Sequence, residues 1–227
     1  MKNAPMTTLD YAKARELMVE QQVRPWDVLD PRVLDVLAGL PREAFVADAH
    51  RNLAYTDIAL PLAHGEFMLK PVLEGRALQA LELDPTDDVL EIGTGSGFLS
   101  ACLGRLAREV VSLERHPDLA ATARERLAAQ SILNVQVVDA DAFGYRTDRR
   151  FNAICVTGAV AELPAQWLQW LQPGGRLFVV RGRSPAMEAI RVTAGERNEV
   201  NASRIQSLFE TDLPYLVGAA PAPAFEF

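Results

Sequence analysis

The stretch Val89-Leu90-Glu91-Ile92-Gly93-Thr94-Gly95-Ser96-Gly97 decides the fold, and Phe98-Leu99-Ser100-Ala101-Cys102-Leu103 follows it without a break. A short apolar run that meets three glycines and passes straight into a helical pattern reads as strand, tight turn and helix. Glycines let the backbone turn sharply and let a ligand approach without meeting a Cβ. Turns of this kind lie at the carboxyl ends of strands in open α/β sheets, where ligands bind.

The same texture continues on the C-terminal side. The sequence predicts strands at Val89–Ile92, Val110–Glu114, Val135–Val138, Phe151–Thr157 and Arg176–Val180, with two more at Ile190–Thr193 and Ile205–Phe209. Helices are predicted at Gly97–Arg108, Pro117–Gln130 and Pro164–Trp170. Alternating strands and helices build a parallel sheet covered on both faces. On the N-terminal side the pattern is helical: Tyr11–Val23, a second helix opened by Asp30 as N-cap and Pro31 at the first position, and Pro71–Leu83. Residues 52–69 read as loop. The chain thus divides into a helical segment over 1–83, a nucleotide-binding core over 84–217 and an Ala- and Pro-rich tail over 218–227, expected to be extended or disordered.

Composition narrows the function. The chain has 227 residues, an apolar fraction of 49% and a net charge of -7. An acidic balance argues against a general nucleic-acid binder, which needs clustered Lys and Arg to neutralise phosphates. Proteins, peptides or small molecules remain as partners. No stretch has the length and apolarity of a membrane span or a signal peptide, so the expected location is cytoplasmic. Cys102 and Cys155 lie in apolar segments and read as core residues, and no metal-ligand spacing is visible.

The charges around the glycines suggest the ligand. Dinucleotide-binding turns use G-x-G-x-x-G against a pyrophosphate. Here the spacing is G-x-G-x-G, and Glu91 precedes it. A carboxylate there disfavours pyrophosphate and suits a sulfonium ion that carries an ammonium group, so a nicotinamide-dependent oxidoreductase ranks far below. Glu114, about twenty residues on at a strand end, is placed to take ribose hydroxyls. Asp141, just after the third strand, is placed with the backbone of Ala142 to read a base edge. Singly each acid is an ordinary loop residue; together with the glycines they form a cofactor site.

Glu91–Gly97 with Glu114, Asp141 and Pro173-Gly174-Gly175 resembles the class I S-adenosylmethionine-dependent methyltransferases. From about Met18 to Val217 the chain is similar to the protein-L-isoaspartate O-methyltransferase family. Leu40-Pro41-Arg42-Glu43-Ala44-Phe45-Val46, Ala54-Tyr55-Thr56-Asp57 and Leu60-Pro61-Leu62 carry that narrower likeness. The resemblance implies a Rossmann-like, seven-stranded, mostly parallel sheet with one reversed strand near the C-terminus. It also implies S-adenosylmethionine as cofactor and S-adenosylhomocysteine as product. Glu91, Gly93, Thr94, Gly95 and Gly97 would hold the methionine part, Glu114 the ribose, and Asp141 with Ala142 the adenine.

One loop departs from the family. Its G-x-T-I-S-x-P segment corresponds to Gly65-Glu66-Phe67-Met68-Leu69-Lys70-Pro71, so Phe67 replaces Thr and Leu69 replaces Ser. A carboxylate acceptor entering there loses hydroxyl donors, and desolvating it costs several kcal/mol. Lys70 and His64 are the nearby cationic candidates, each read first as an ordinary solvated side chain. No residue stands out as a general base; Asp57 reads equally well as a turn residue. Three functions stay open: isoaspartyl carboxyl methylation, methylation of another acceptor such as a small molecule, and cofactor binding without transfer. Residues 11–83 are expected to pack over the cofactor mouth and supply the acceptor site.

Overall fold

In a computed structural model of the chain, the described residues are 9–195 and 203–222. The elements in chain order are α1 (Tyr11–Met18), α2 (Pro31–Gly39), β1 (Leu60–Pro61), β2 (Phe67–Met68), α3 (Pro71–Leu81), β3 (Asp88–Ile92) and α4 (Phe98–Leu106). They continue with β4 (Glu109–Glu114), α5 (Pro117–Ala129), β5 (Val135–Asp139), β6 (Phe151–Val160) and α6 (Ala165–Gln169). The last three are β7 (Leu171–Arg183), β8 (Ala186–Thr193) and β9 (Arg204–Thr211).

Seven strands form one sheet in the order β5-β4-β3-β6-β7-β8-β9. β5, β4, β3, β6 and β7 pair in parallel, and β8 runs antiparallel to both β7 and β9. The expected single reversed strand is therefore β8. Chain order reverses at β3, with β4 on one side and β6 on the other, and this switch point opens a crevice at the carboxyl ends.

Strand alternation sorts the core onto two faces. Val89, Ala153 and Cys155 join a cluster with α1 to α5, including Met18, Leu37, Phe45, Leu78 and Phe98. Leu90, Ile92 and Ile154 point the other way and pack with Trp167, Trp170 and Leu177. The described residues before the sheet, from Tyr11 to Leu83, therefore share one hydrophobic cluster with it. Cys102 and Cys155 are buried free thiols, pushed well above the usual thiol range by burial.

Local chemistry explains the helix starts. Asp30 caps α2 through Oδ1, which accepts from the Arg32 N–H at 2.9 Å, with Pro31 at the first position. α3 has no cap of its own; Asp57 Oδ1, fourteen positions before Pro71 in the chain, accepts from the Val72 N–H at 3.0 Å instead. The first helix differs from the expected span. It is α-helical only to Met18, then widens into a π-helical turn over Val19–Val23 and a 3₁₀ turn over Arg24–Trp26. Pro25 has no N–H to continue the ladder, and Gln22 Nε2 donates to the Tyr55 carbonyl at 3.1 Å.

A buried arginine organises the segment before the sheet. Arg42 is fully buried; its Nε donates to the Ala54 carbonyl at 2.8 Å and its Nη2 to the Leu69 carbonyl at 2.6 Å. Its Nη1 pairs with buried Glu74 of α3, and its guanidinium lies 4.8 Å from the Phe98 ring centroid. Every arm of the fork is used, which is what a charge this deep requires. Burial pushes the Glu74 carboxyl above its usual range, and the Arg42 charge opposes that shift. Next to it, Tyr55 is bonded to Glu43, accepts from Arg15 Nε at 2.9 Å, and is pushed up to about 12, first by burial and then by Glu43.

Candidate active site

The glycine turn closes on its neighbours through the main chain. The N–H groups of Gly93 and Thr94 both reach the Leu113 carbonyl of β4, at 2.9 and 3.3 Å. Gly93 has φ +94°, and a Cβ there would come within 2.2 Å of Thr157 Oγ1. That hydroxyl hydrogen-bonds to the carbonyls of Ile92 and Gly93 at 3.0 and 2.9 Å, so the position admits glycine alone. Gly97, at φ +85°, starts α4 close against Ala123 of α5.

Glu114 is pinned beside this turn. Its Oε2 accepts from the Gly95 N–H at 2.8 Å and its Oε1 from the His116 N–H at 3.0 Å. Each oxygen keeps a further lone pair for a hydroxyl donor. Asp141 Oδ1 accepts from the Phe143 N–H at 2.9 Å, which shapes the loop that presents buried Ala142. Its other oxygen lies 3.9 Å from Arg115 Nη1.

One cleft collects most of the residues singled out from the sequence. Gly93, Thr94, Gly95, Glu114, Asp141 and Ala142 line it. Glu91 and Gly97 lie behind its wall. Glu91 is completely buried, with Ser100 Oγ and Ser112 Oγ donating to its Oε2. Its Oε1 has no hydrogen-bond partner among the described residues. Burial pushes the carboxyl up to about 8, outweighing the two hydroxyls that favour its charged form. Burial thus favours the neutral form of Glu91, which lies under the turn and not beside the ligand space.

The opposite wall is the β1–β2 hairpin. Leu62, Glu66, Phe67, Met68, Leu69 and Lys70 line the cleft, but the two departures from the family pattern differ in kind. Phe67 is 47% exposed at the mouth, whereas Leu69 is 7% exposed and its carbonyl is held by Arg42. Lys70 Nζ lies 3.8 Å from Asp57 Oδ2. Asp57 caps α3 and does not line the cleft, so its role there is structural. The expectation that all of 11–83 covers the mouth needs correction. Only Ala59 to Glu74 contributes lining residues; α2 packs on α3 and α4, and α1 packs on α2.

A third wall was missed. After β9 the chain returns across the end of β6: the Ala159 N–H donates to Pro214 O, and the Leu216 N–H to Ala159 O, both at 2.9 Å. Asp212 to Val217 line the cleft, and Leu216 fills the space a side chain on Gly158 would take. The apolar run Leu213-Pro214-Tyr215-Leu216-Val217 is the signal that marks it. Ala219, assigned to the tail, is buried and its carbonyl accepts from the Ala161 N–H at 2.8 Å; 223–227 lie outside the described residues. Among the described residues, no three His, Cys, Asp or Glu side chains are grouped to hold a metal, and no helix is long and apolar enough to cross a membrane.

Residues 13–207 match the family description protein-L-isoaspartate(D-aspartate) O-methyltransferase. The chain belongs to this family. It is 34% identical over 213 residues to the protein-L-isoaspartate O-methyltransferase of Koribacter versatilis, covering 93% of this chain and 96% of that one. To the Synechococcus protein of the same name it is 41% identical over 177 residues, 78% of this chain and 72% of the other. Among solved structures, a Plasmodium falciparum protein assigned to this methyltransferase activity, in complex with S-adenosyl-L-homocysteine, superposes with a TM-score of 0.76. It is 19% identical and covers 92% of this chain and 99% of that one. A second protein-L-isoaspartate O-methyltransferase gives 0.75 at 24% identity, over 90% of this chain and 65% of the other. These two likenesses establish the fold. The methyltransferase family motifs before Leu83 acquire a physical meaning here: Arg42 and Ala54 come from two of them, and they meet at the base of the hairpin.

Proposed function

We propose that this protein transfers the methyl group of S-adenosylmethionine to the free α-carboxylate of isoaspartyl residues in proteins and peptides. One observation carries the reading: a single cleft joins the glycine turn, Glu114 and Asp141 on one side to the Gly65–Pro71 loop on the other. Gly93, Gly95 and Thr94 would take the methionine part, Glu114 the ribose hydroxyls, and Asp141 with Ala142 the adenine. Gly97 and Glu91 act from behind the wall, the first by allowing close packing of α4 and the second by its polar contact under the turn. The turn meets the cleft with glycine main chain: a Cβ at Gly95, at φ +52°, would come within 3.1 Å of Leu62 on the opposite wall, which fits a ligand held close against the backbone.

When bound, S-adenosylmethionine supplies an already activated methyl group. The protein's task is to hold an acceptor oxygen in line and exclude water. A carboxylate oxygen needs no proton removed before it attacks, so this acceptor asks for no general base. Leu62, Phe67, Met68 and Leu113 give that space an apolar character.

The second reading, an acceptor other than isoaspartate, rests on Phe67. An aromatic ring half exposed at the mouth is a favourable contact for apolar acceptor surface, small molecule or peptide. Methyl ester formation on an isoaspartyl peptide separates the two. Robust activity in the wild type supports the first. Inactivity in the wild type, with activity gained in Phe67→Thr combined with Leu69→Ser, supports the second.

A further inference from the structure

The β1–β2 hairpin is tied to the cofactor side of the cleft by two histidines that the proposed chemistry does not use. His64 sits in the hairpin turn at φ +61°, a left-handed conformation uncommon for a side chain other than glycine. Its ring stacks on His116, which follows β4, with centroids 4.2 Å apart and planes within 3°. Two hydrogen bonds cross between the two segments. His64 Nε2 is 2.8 Å from Asp118 Oδ1 on α5, and His116 Nε2 is 3.3 Å from Glu66 Oε1 on the hairpin. The backbone of His116 also holds Glu114 through its N–H. One residue thus contacts the hairpin with its side chain and Glu114 with its main chain.

We propose that the His64–His116 stack with its crossed carboxylates is a clasp that holds the hairpin closed against the Glu114 turn, making both histidines positioning residues for the methyl acceptor. The inference rests on the reading that the cleft accommodates cofactor and acceptor together. The left-handed backbone at His64 costs energy that only fixed surroundings sustain, and the stack with Asp118 supplies them. The clasp orients β2, with Phe67, and Leu69 just after it, and leaves the glycine turn, built on Leu113 and Thr157, untouched.

Two measurements on full-length His64→Ala, His116→Ala and the double variant test it. The Leu62 N–H donates to the Glu66 carbonyl at 2.8 Å and reports hairpin closure by hydrogen exchange. Each single variant is expected to speed its exchange about tenfold, and the double variant little further, because either loss opens the same clasp. S-adenosylhomocysteine affinity should stay within about twofold in all three, which also verifies folding. KM for an isoaspartyl peptide should rise about tenfold at nearly constant kcat. Unchanged exchange overturns the clasp. Faster exchange with unchanged KM overturns the positioning role. A wild type that binds S-adenosylhomocysteine but methylates no isoaspartyl peptide overturns the acceptor assignment instead, and exchange still decides the closure.

Discussion

Replacing Glu91 by glutamine tests whether the buried acid under the glycine turn is neutral in the free protein. Its carboxyl stands at about 8 in the folded state against an ordinary value of 4.5. The folded protein therefore keeps a proton that the unfolded chain has released across this interval. Stability from this group is complete below about 4.5 and falls by up to about 1.4 kcal/mol per pH unit until the folded carboxyl ionises. Between pH 6 and 8 the wild type should lose about 2–3 kcal/mol from Glu91 alone, equivalent to about 5–10 °C in Tm for a chain of this size. Glutamine cannot titrate. Its carbonyl can accept from Ser100 and Ser112, while its amide adds an N–H where Oε1 already lacks a partner, at a cost of about 1–3 kcal/mol. Because the wild type has already lost about 2 kcal/mol by pH 6, Glu91→Gln should be less stable than wild type near pH 4.5, overtake it between about pH 5 and 7, and gain on it further up to pH 8. Urea titrations of both proteins at half-unit pH steps give the difference directly, since titrations common to both cancel. A difference that stays flat from pH 6 to 8, or one in which the variant loses ground, would refute a neutral Glu91.

Arg42→Met should cost about 3–5 kcal/mol in urea unfolding, because it leaves Glu74 buried without its partner and strips donors from the Ala54 and Leu69 carbonyls. Gly93→Ala should weaken S-adenosylhomocysteine binding more than tenfold by calorimetry, since the new Cβ displaces Thr157 Oγ1 from the turn; unchanged affinity would mean the turn relaxes freely.

Periodicity sufficed for the sheet because every core strand except β8 and β9 is a dense apolar run following a helix or turn signal. The errors fall where tertiary bonds override local signals. β6 continues to Val160 past a register shift between Cys155 and Ala159, and β7 starts at Leu171 because its pairing with Phe151 precedes the Gly174-Gly175 turn. That Gly93, Thr94, Gly95, Glu114, Asp141 and Ala142 would share one cleft was readable because strand ends converge at a switch point. The burial of Glu91 was not legible: charge can be read from a sequence, but burial depends on α4 and β4 bringing Ser100 and Ser112 against the strand. Arg42 gave no local hint of its role, since its partners lie 12, 27 and 32 positions away. The family motifs marked its neighbourhood without revealing what the arginine does.

The wall formed by Asp212 to Val217 has a further consequence for how ligand and fold are coupled. It closes on β6 from the far side of β7, β8 and β9, so the cleft is complete only after those strands have paired and the returning segment has docked. A ligand that binds only the completed cleft stabilises the whole sequence of pairings by mass action. Proteolytic cleavage within 212–217 would therefore remove more than one side of a pocket. It would disconnect cofactor binding from the stability of the sheet edge, leaving β8 and β9 to depend on their own pairing.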